Sequence, residues 1–170
     1  MKPPILILFN GAPGSGKTTI GEILAEKLEC PLIDFGELRV FHLKPDWSDE
    51  SPEESAMAFE NLVFIIRNYF RHGYRYVITD DLTVLQVEKL GEVFAEIFCL
   101  TVTLVVEEAE LRRRVGARTE GFTDVERSAA SNRVLKTRTP GPQELMLDTS
   151  ESSPAEAVTT IVRSLDIEIA

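Results

Sequence analysis

Two cysteines, two histidines and one tryptophan among 170 residues are low counts, and each excludes something. Cys30 and Cys99 stand far apart and form no CxxC, so they offer neither a disulfide framework nor a thiolate metal site, and reduced thiols in a cytoplasmic protein are expected. His42 and His72 lack Cys, Asp or Glu at metal-ligand spacing, which leaves them structural roles. No serine has the G-x-S-x-G setting of a hydrolase nucleophile. No apolar run approaches the ~20 residues of a membrane span. The run from Pro3 to Phe9 leads into a glycine-rich segment and not into a cleavage site, so no membrane partner is expected.

Positive charge is also scarce, with 18 basic against 28 acidic residues and a net charge of -10. Such a surface repels polyanions at long range, and no nucleic-acid partner is expected. The deficit is uneven: residues 112–138 carry eight basic and three acidic side chains, a local +5 against -15 for the remainder. What is present, 44% hydrophobic and 27% charged residues, is the balance of one compact domain over residues 1–170. A chain of this size buries roughly 70% of its unfolded surface and needs no covalent staples.

Short apolar or β-branched runs predict strands at Ile5–Phe9, Pro31–Asp34, Tyr74–Thr79, Phe98–Val106 and Glu144–Leu147. Between them, helical spacing predicts helices over Thr18–Glu29, Glu54–His72 with Pro52 in its first turn, Val84–Ile97, Glu107–Val115, Thr123–Leu135 and Pro154–Leu165. Residues from Asp46 to Glu54 read as an acidic loop, in which Trp47 is either part of a substrate flap or a loop anchor. The alternation of strand and helix predicts an α/β fold, a parallel sheet of five strands covered on both faces.

The most specific segment is Gly11-Ala12-Pro13-Gly14-Ser15-Gly16-Lys17-Thr18, followed by Thr19, which satisfies G-x-x-x-x-G-K-[ST] between a buried strand and an amphipathic helix. A phosphate chain concentrates negative charge, so holding it requires backbone N–H groups at close approach, a lysine for the outer phosphates and a hydroxyl for Mg²⁺. ATP and Mg²⁺ are the expected ligands.

With this motif the chain resembles the P-loop NTPases, and within them the small kinases of the shikimate and gluconate kinase, chloramphenicol phosphotransferase and adenylate kinase type. The resemblance implies a three-layer αβα kinase fold, with an acceptor side at about residues 35–72 and a lid at about 112–138. It implies phosphoryl transfer from ATP to a small-molecule hydroxyl or phosphate, by a monomer or homodimer. The exit of the second strand, Asp34-Phe35-Gly36-Glu37-Leu38-Arg39, is where such kinases carry a catalytic carboxylate, and here Gly36 stands at that position. Glu37 is the nearest substitute and Asp34 the next, while Arg39 resembles an acceptor-binding arginine; alternatively Glu37 and Arg39 are exposed residues at a helix start. At the end of the third strand Asp80 is expected to serve Mg²⁺ together with Thr18, and Asp81 to contact the acceptor or cap the next helix.

In the lid, Arg118 and then Arg114 are expected to stabilise the transferring phosphoryl group, with Gly116 and Gly121 as hinges, while Arg133 and Arg138 serve the same ligand or the surface. The loop at Leu147–Ser150 resembles one that passes beside the adenine. The alternative function is an ATP-binding module that signals or contacts a partner with little transferase activity.

Overall fold

The computed structural model describes residues 3–42 and 51–169, with side chains as far as Leu165. Trp47 and most of its acidic loop lie outside the described residues. The strands are β1 (Ile5–Gly11), β2 (Leu32–Asp34), β3 (Tyr76–Leu82), β4 (Phe98–Val105) and β5 (Glu144–Asp148). The helices are α1 (Lys17–Leu28), α2 (Phe35–Arg39), α3 (Pro52–Arg71), α4 (Val84–Val93), α5 (Glu108–Gly116), α6 (Val125–Lys136) and α7 (Pro154–Ile169). All strand pairs are parallel, in the order β2-β3-β1-β4-β5. This is the three-layer α/β architecture of P-loop kinases, and β1, buried along almost its whole length, is its central strand.

Alternation along β1 divides the core. Ile5, Ile7 and Phe9 meet Ile20 and Leu24 of α1 and Val158 and Ile161 of α7. Leu6 and Leu8 face the other way, toward Phe35 of α2, Leu62 and Ile66 of α3, and Leu90 and Phe94 at α4. A smaller cluster, Ala12, Val106, Leu111 and Val115, holds α5 against the loop that follows β1.

Most helix starts follow from local chemistry. Ser51 accepts a hydrogen bond from the Glu54 amide with Pro52 in the first turn of α3, Thr83 and Gln86 form a capping box on α4, and Asp124 caps α6. Beside shifts of a few residues at other ends, such as β1 running to Gly11 and α7 to Ile169, three differences from the sequence expectation stand out. Residues 35–39 form a separate short helix, too brief to show a period. Helix α4 stops at Val93 and not at Ile97, where the backbone of the buried Phe94, φ -113° and ψ 33°, leaves the helical region. Strand β3 runs past Thr79 to Leu82 through an irregularity: Leu8 pairs with Thr79 but Asn10 pairs with Leu82, so Asp80 and Asp81 together oppose the single Phe9. Asp81 has a left-handed backbone, φ 56°. This is a β-bulge, which turns a side chain out of the regular alternation. Among the described residues no helix is long and apolar enough to cross a membrane.

Candidate active site

The C-terminal edge of a parallel sheet is where loops converge, and β1 delivers Gly11 there, directly into the glycine-rich loop. Helix α1 starts at Gly16, which has φ 98° and provides no side-chain cap. A glycine takes this conformation without strain, and the uncapped first turn leaves its N–H groups open to an anion. The Lys17 ammonium donates to the carbonyls of Gly11 at 2.8 Å and Ala12 at 3.4 Å. Burial lowers its pKa, and the charges of Asp81, Asp80 and Asp34 oppose that shift. The loop is braced by residues distant in sequence, since Ser128 of α6 donates to the Pro13 carbonyl and the Thr149 hydroxyl to the Ser15 carbonyl at 2.9 Å.

Beside Lys17, Thr18 donates its hydroxyl hydrogen to Asp80 Oδ2 at 3.3 Å. Asp80 is only 1% exposed, and its Oδ1 has no partner among the described residues. Desolvation is the main cause that pushes its pKa up to about 7; Asp34 and Asp81 push the same way, while Lys17 and the Thr18 hydrogen bond oppose it. Among the described residues no group of three or more acidic, His or Cys side chains is arranged to hold a metal by itself. A hydroxyl and a carboxylate with an orphaned oxygen, next to a phosphate-binding loop, suit Mg²⁺, which takes one or two protein oxygens and completes its shell with phosphate and water.

Asp34 pairs in register with Asp80 across β2 and β3, and it caps α2 by accepting the Glu37 amide hydrogen at 3.1 Å. Gly36 lies between the acids: a Cβ there would fall 2.7 Å from Asp81 Oδ2 and 3.1 Å from Asp34 Oδ1. The Asp81 carboxylate therefore takes space that a side chain at residue 36 would need. Asp81 is exposed on its open side, yet the crowding of its other neighbours, followed by Asp34, raises its pKa against the pull of Lys17 and Arg39. Arg39 also stacks over the Phe35 ring, 5.7 Å from its centre. Glu37 is exposed and contributes its backbone N–H alone to this group.

The cationic segment is more neutral than its count. Arg112 pairs with Glu108 and Glu126, Arg113 and Arg114 with Glu110, Arg133 with Glu108, Lys136 with Glu107, and Arg138 with Glu144. Arg114 further donates to the Thr149 carbonyl at 2.6 Å, which ties α5 to the loop after β5. Arg118 differs: among the described residues it has no carboxylate partner, it donates weakly to the Phe122 carbonyl at 3.5 Å, and its charge reaches Lys17. Of the histidines, His42 lies beside Glu54 at 3.3 Å and His72 closes α3.

Lys17, Thr18, Asp34, Asp80 and Asp81 thus converge, with Arg39 and Arg118 in electrostatic reach, whereas Glu37, Arg133 and Arg138 do not join them. Ser128 carried no sequence signal and Thr149 only its place in the Leu147–Ser150 loop, because each braces the phosphate loop through a contact more than 100 residues away.

Several solved structures share the architecture. A gluconokinase from Sinorhizobium meliloti is 19% identical, with all of both chains covered and a TM-score of 0.66. A shikimate kinase from Bacteroides thetaiotaomicron is 18% identical over 95% of this chain and 98% of its own, with a TM-score of 0.66. A thymidylate kinase from Candida albicans is 17% identical over 98% of this chain and 92% of its own, with a TM-score of 0.72. No curated protein matches the sequence. Residues 7–133 match the family described as AAA domain, and with the phosphate-binding loop and the parallel sheet around it the chain belongs to that family of P-loop NTPases.

Proposed function

We propose that the chain transfers the γ-phosphoryl group of ATP to a small-molecule hydroxyl with the help of Mg²⁺. The observation that supports this most directly is the hydrogen bond from Thr18 to the buried Asp80 beside Lys17. In this reading the open amides at the start of α1 and the Lys17 ammonium hold the β- and γ-phosphates. Thr18 and Asp80 are the Mg²⁺ ligands, and the ion supplies neutralisation of phosphate charge. Arg118 supplies a positive charge for the equatorial oxygens of the transferring group. Arg114, held by Glu110 and Thr149, is assigned to the loop beside the nucleotide base and not to a closing arm. A cytoplasmic location, with reduced Cys30 and Cys99, belongs to the same proposal.

The thymidylate kinase similarity raises the reading of a nucleoside monophosphate acceptor, which requires cations on the acceptor side. Arg67 stacks on Phe94 and Arg39 on Phe35, whereas Asp34, Asp80 and Asp81 converge. That balance favours a hydroxyl acceptor without a phosphate. The deciding measurement is MgATP binding by calorimetry together with ADP release across a panel of polyols, sugar acids and nucleoside monophosphates. Stimulation by a hydroxyl compound is expected, and Lys17→Ala should lower it by about a hundredfold or more. Absence of MgATP binding would overturn the proposal, and tight binding without transfer to any compound would favour the signalling module.

A further inference from the structure

We infer that Asp81, delivered by the β-bulge into the space above Gly36, is the residue that receives the acceptor's hydroxyl. This deepens the phosphotransferase reading and rests on it. Of the three converging carboxylates, two are engaged. Asp80 is bonded by Thr18 on the side of the phosphate-binding loop, and Asp34 is bonded by the Glu37 amide as the cap of α2. Asp81 accepts no hydrogen bond from the described residues, it is open to solvent, and it exerts the strongest charge interaction on Lys17. Its carboxylate therefore stands in the space above Gly36 with no hydrogen-bond donor among the described residues.

Two features argue that this placement is built in. The left-handed backbone of a non-glycine residue is strained, and here it coincides with the one extra residue in β3. The absent side chain at residue 36 is the complementary feature, because any Cβ there meets the Asp81 carboxylate within 2.7 Å. An independent observation lies on the same face of the sheet. Following Leu6 and Leu8 along β1, Asn10 comes next on the side covered by α2 and α3. It is 4% exposed, and its amide Nδ2 has no partner among the described residues. A buried amide donor without a partner is costly and points to a polar ligand at this edge.

In the transfer step the acceptor oxygen forms its bond to the γ-phosphorus while the bond from that phosphorus to the ADP oxygen breaks. The proton of the acceptor hydroxyl passes to the Asp81 carboxylate, and the electron pair of the broken bond leaves on ADP.

Water, the smallest hydroxyl acceptor, serves as the probe. Hydrolysis of radiolabelled ATP is measured at saturating MgATP for the unaltered chain, for Asp81→Gly, Gly36→Asp and the double variant, beside calorimetric binding of Mg²⁺ with a non-hydrolysable ATP analogue. Asp81→Gly suits the left-handed backbone, so it should bind the analogue at least as tightly, a negative charge near Lys17 being lost, and hydrolyse ATP about a hundredfold more slowly or worse. Gly36→Asp alone should also be impaired, because the two carboxylates collide. The double variant returns one carboxylate to the vacated space and should recover at least about tenfold over Asp81→Gly. Hydrolysis by Asp81→Gly within about threefold of the unaltered chain, or a double variant no faster than Asp81→Gly, overturns the inference. Failure of the unaltered chain to bind the analogue would instead be the failure of the phosphotransferase reading.

Discussion

Asp80 combines near-complete burial with a single hydroxyl partner, which makes it costly to ionise. Its carboxyl titrates at about 7 in the folded chain, against an ordinary 3.8. Between those values the folded state holds more protons than the unfolded one, so this group's contribution to stability is complete below the lower value and is lost as pH rises through the upper one. Urea midpoints of the metal-free chain should therefore fall relative to those of Asp80→Asn as pH rises from about 4 to about 7. A constant difference between the two chains would contradict the burial argument. The phosphate loop was legible because its pattern is strict and local. Asp80 and Asp81 were legible as two carboxylates at a strand end, one for Mg²⁺ and one for the acceptor or a cap, but the bulge that parts them was not, since nothing in Thr79-Asp80-Asp81 signals a left-handed residue. Gly36 read as a missing group; the structure makes it the room for another residue's carboxylate.

Among the elements, α6 is fixed by an arrangement that no periodicity displays. Buried Asn132 donates to the Val106 carbonyl at 2.7 Å and accepts from the Val106 amide at 3.0 Å, so its side-chain amide stands in for a strand partner at the end of β4. Asn132→Ala strands both backbone groups, and the expected cost is about 2–4 kcal/mol, measured by urea unfolding. A loss below about 0.5 kcal/mol would show that water replaces the side chain. The long elements were legible from their periods and caps, as in Ser51 with Pro52 and Thr83 with Gln86. Helix α2 was not, because five residues carry less than two turns of pattern. The arginines of α5 and α6 read as a free cationic arm because Glu107, Glu108 and Glu110 lie just ahead of them in sequence. Their pairing is one helical turn away or across two helices.

For the whole molecule, that pairing changes the charge map. Counted from Glu107 to Arg138 the segment is only +2, and in the proposed reading the attraction for a small anion comes from the loop amides, Lys17 and Arg118. The distant contacts of the loop carry a further consequence. Thr149 bonds the Ser15 carbonyl through its hydroxyl and the Val105 carbonyl through its amide, so it sits between the end of β4 and the phosphate loop. Thr149→Val should keep the fold and weaken MgATP binding by about fivefold, the worth of roughly 1 kcal/mol, as calorimetry would register. Unchanged affinity would show that Ser15 needs no such support. The family match ends at residue 133, yet the residue that finishes the nucleotide loop is 149, and the helix that covers the loop's own strand begins at 154. A piece of this chain cut at the edge of the stretch by which its ancestry is recognised would therefore lose both the Thr149 brace of the phosphate loop and the helix packed on the strand that leads into it.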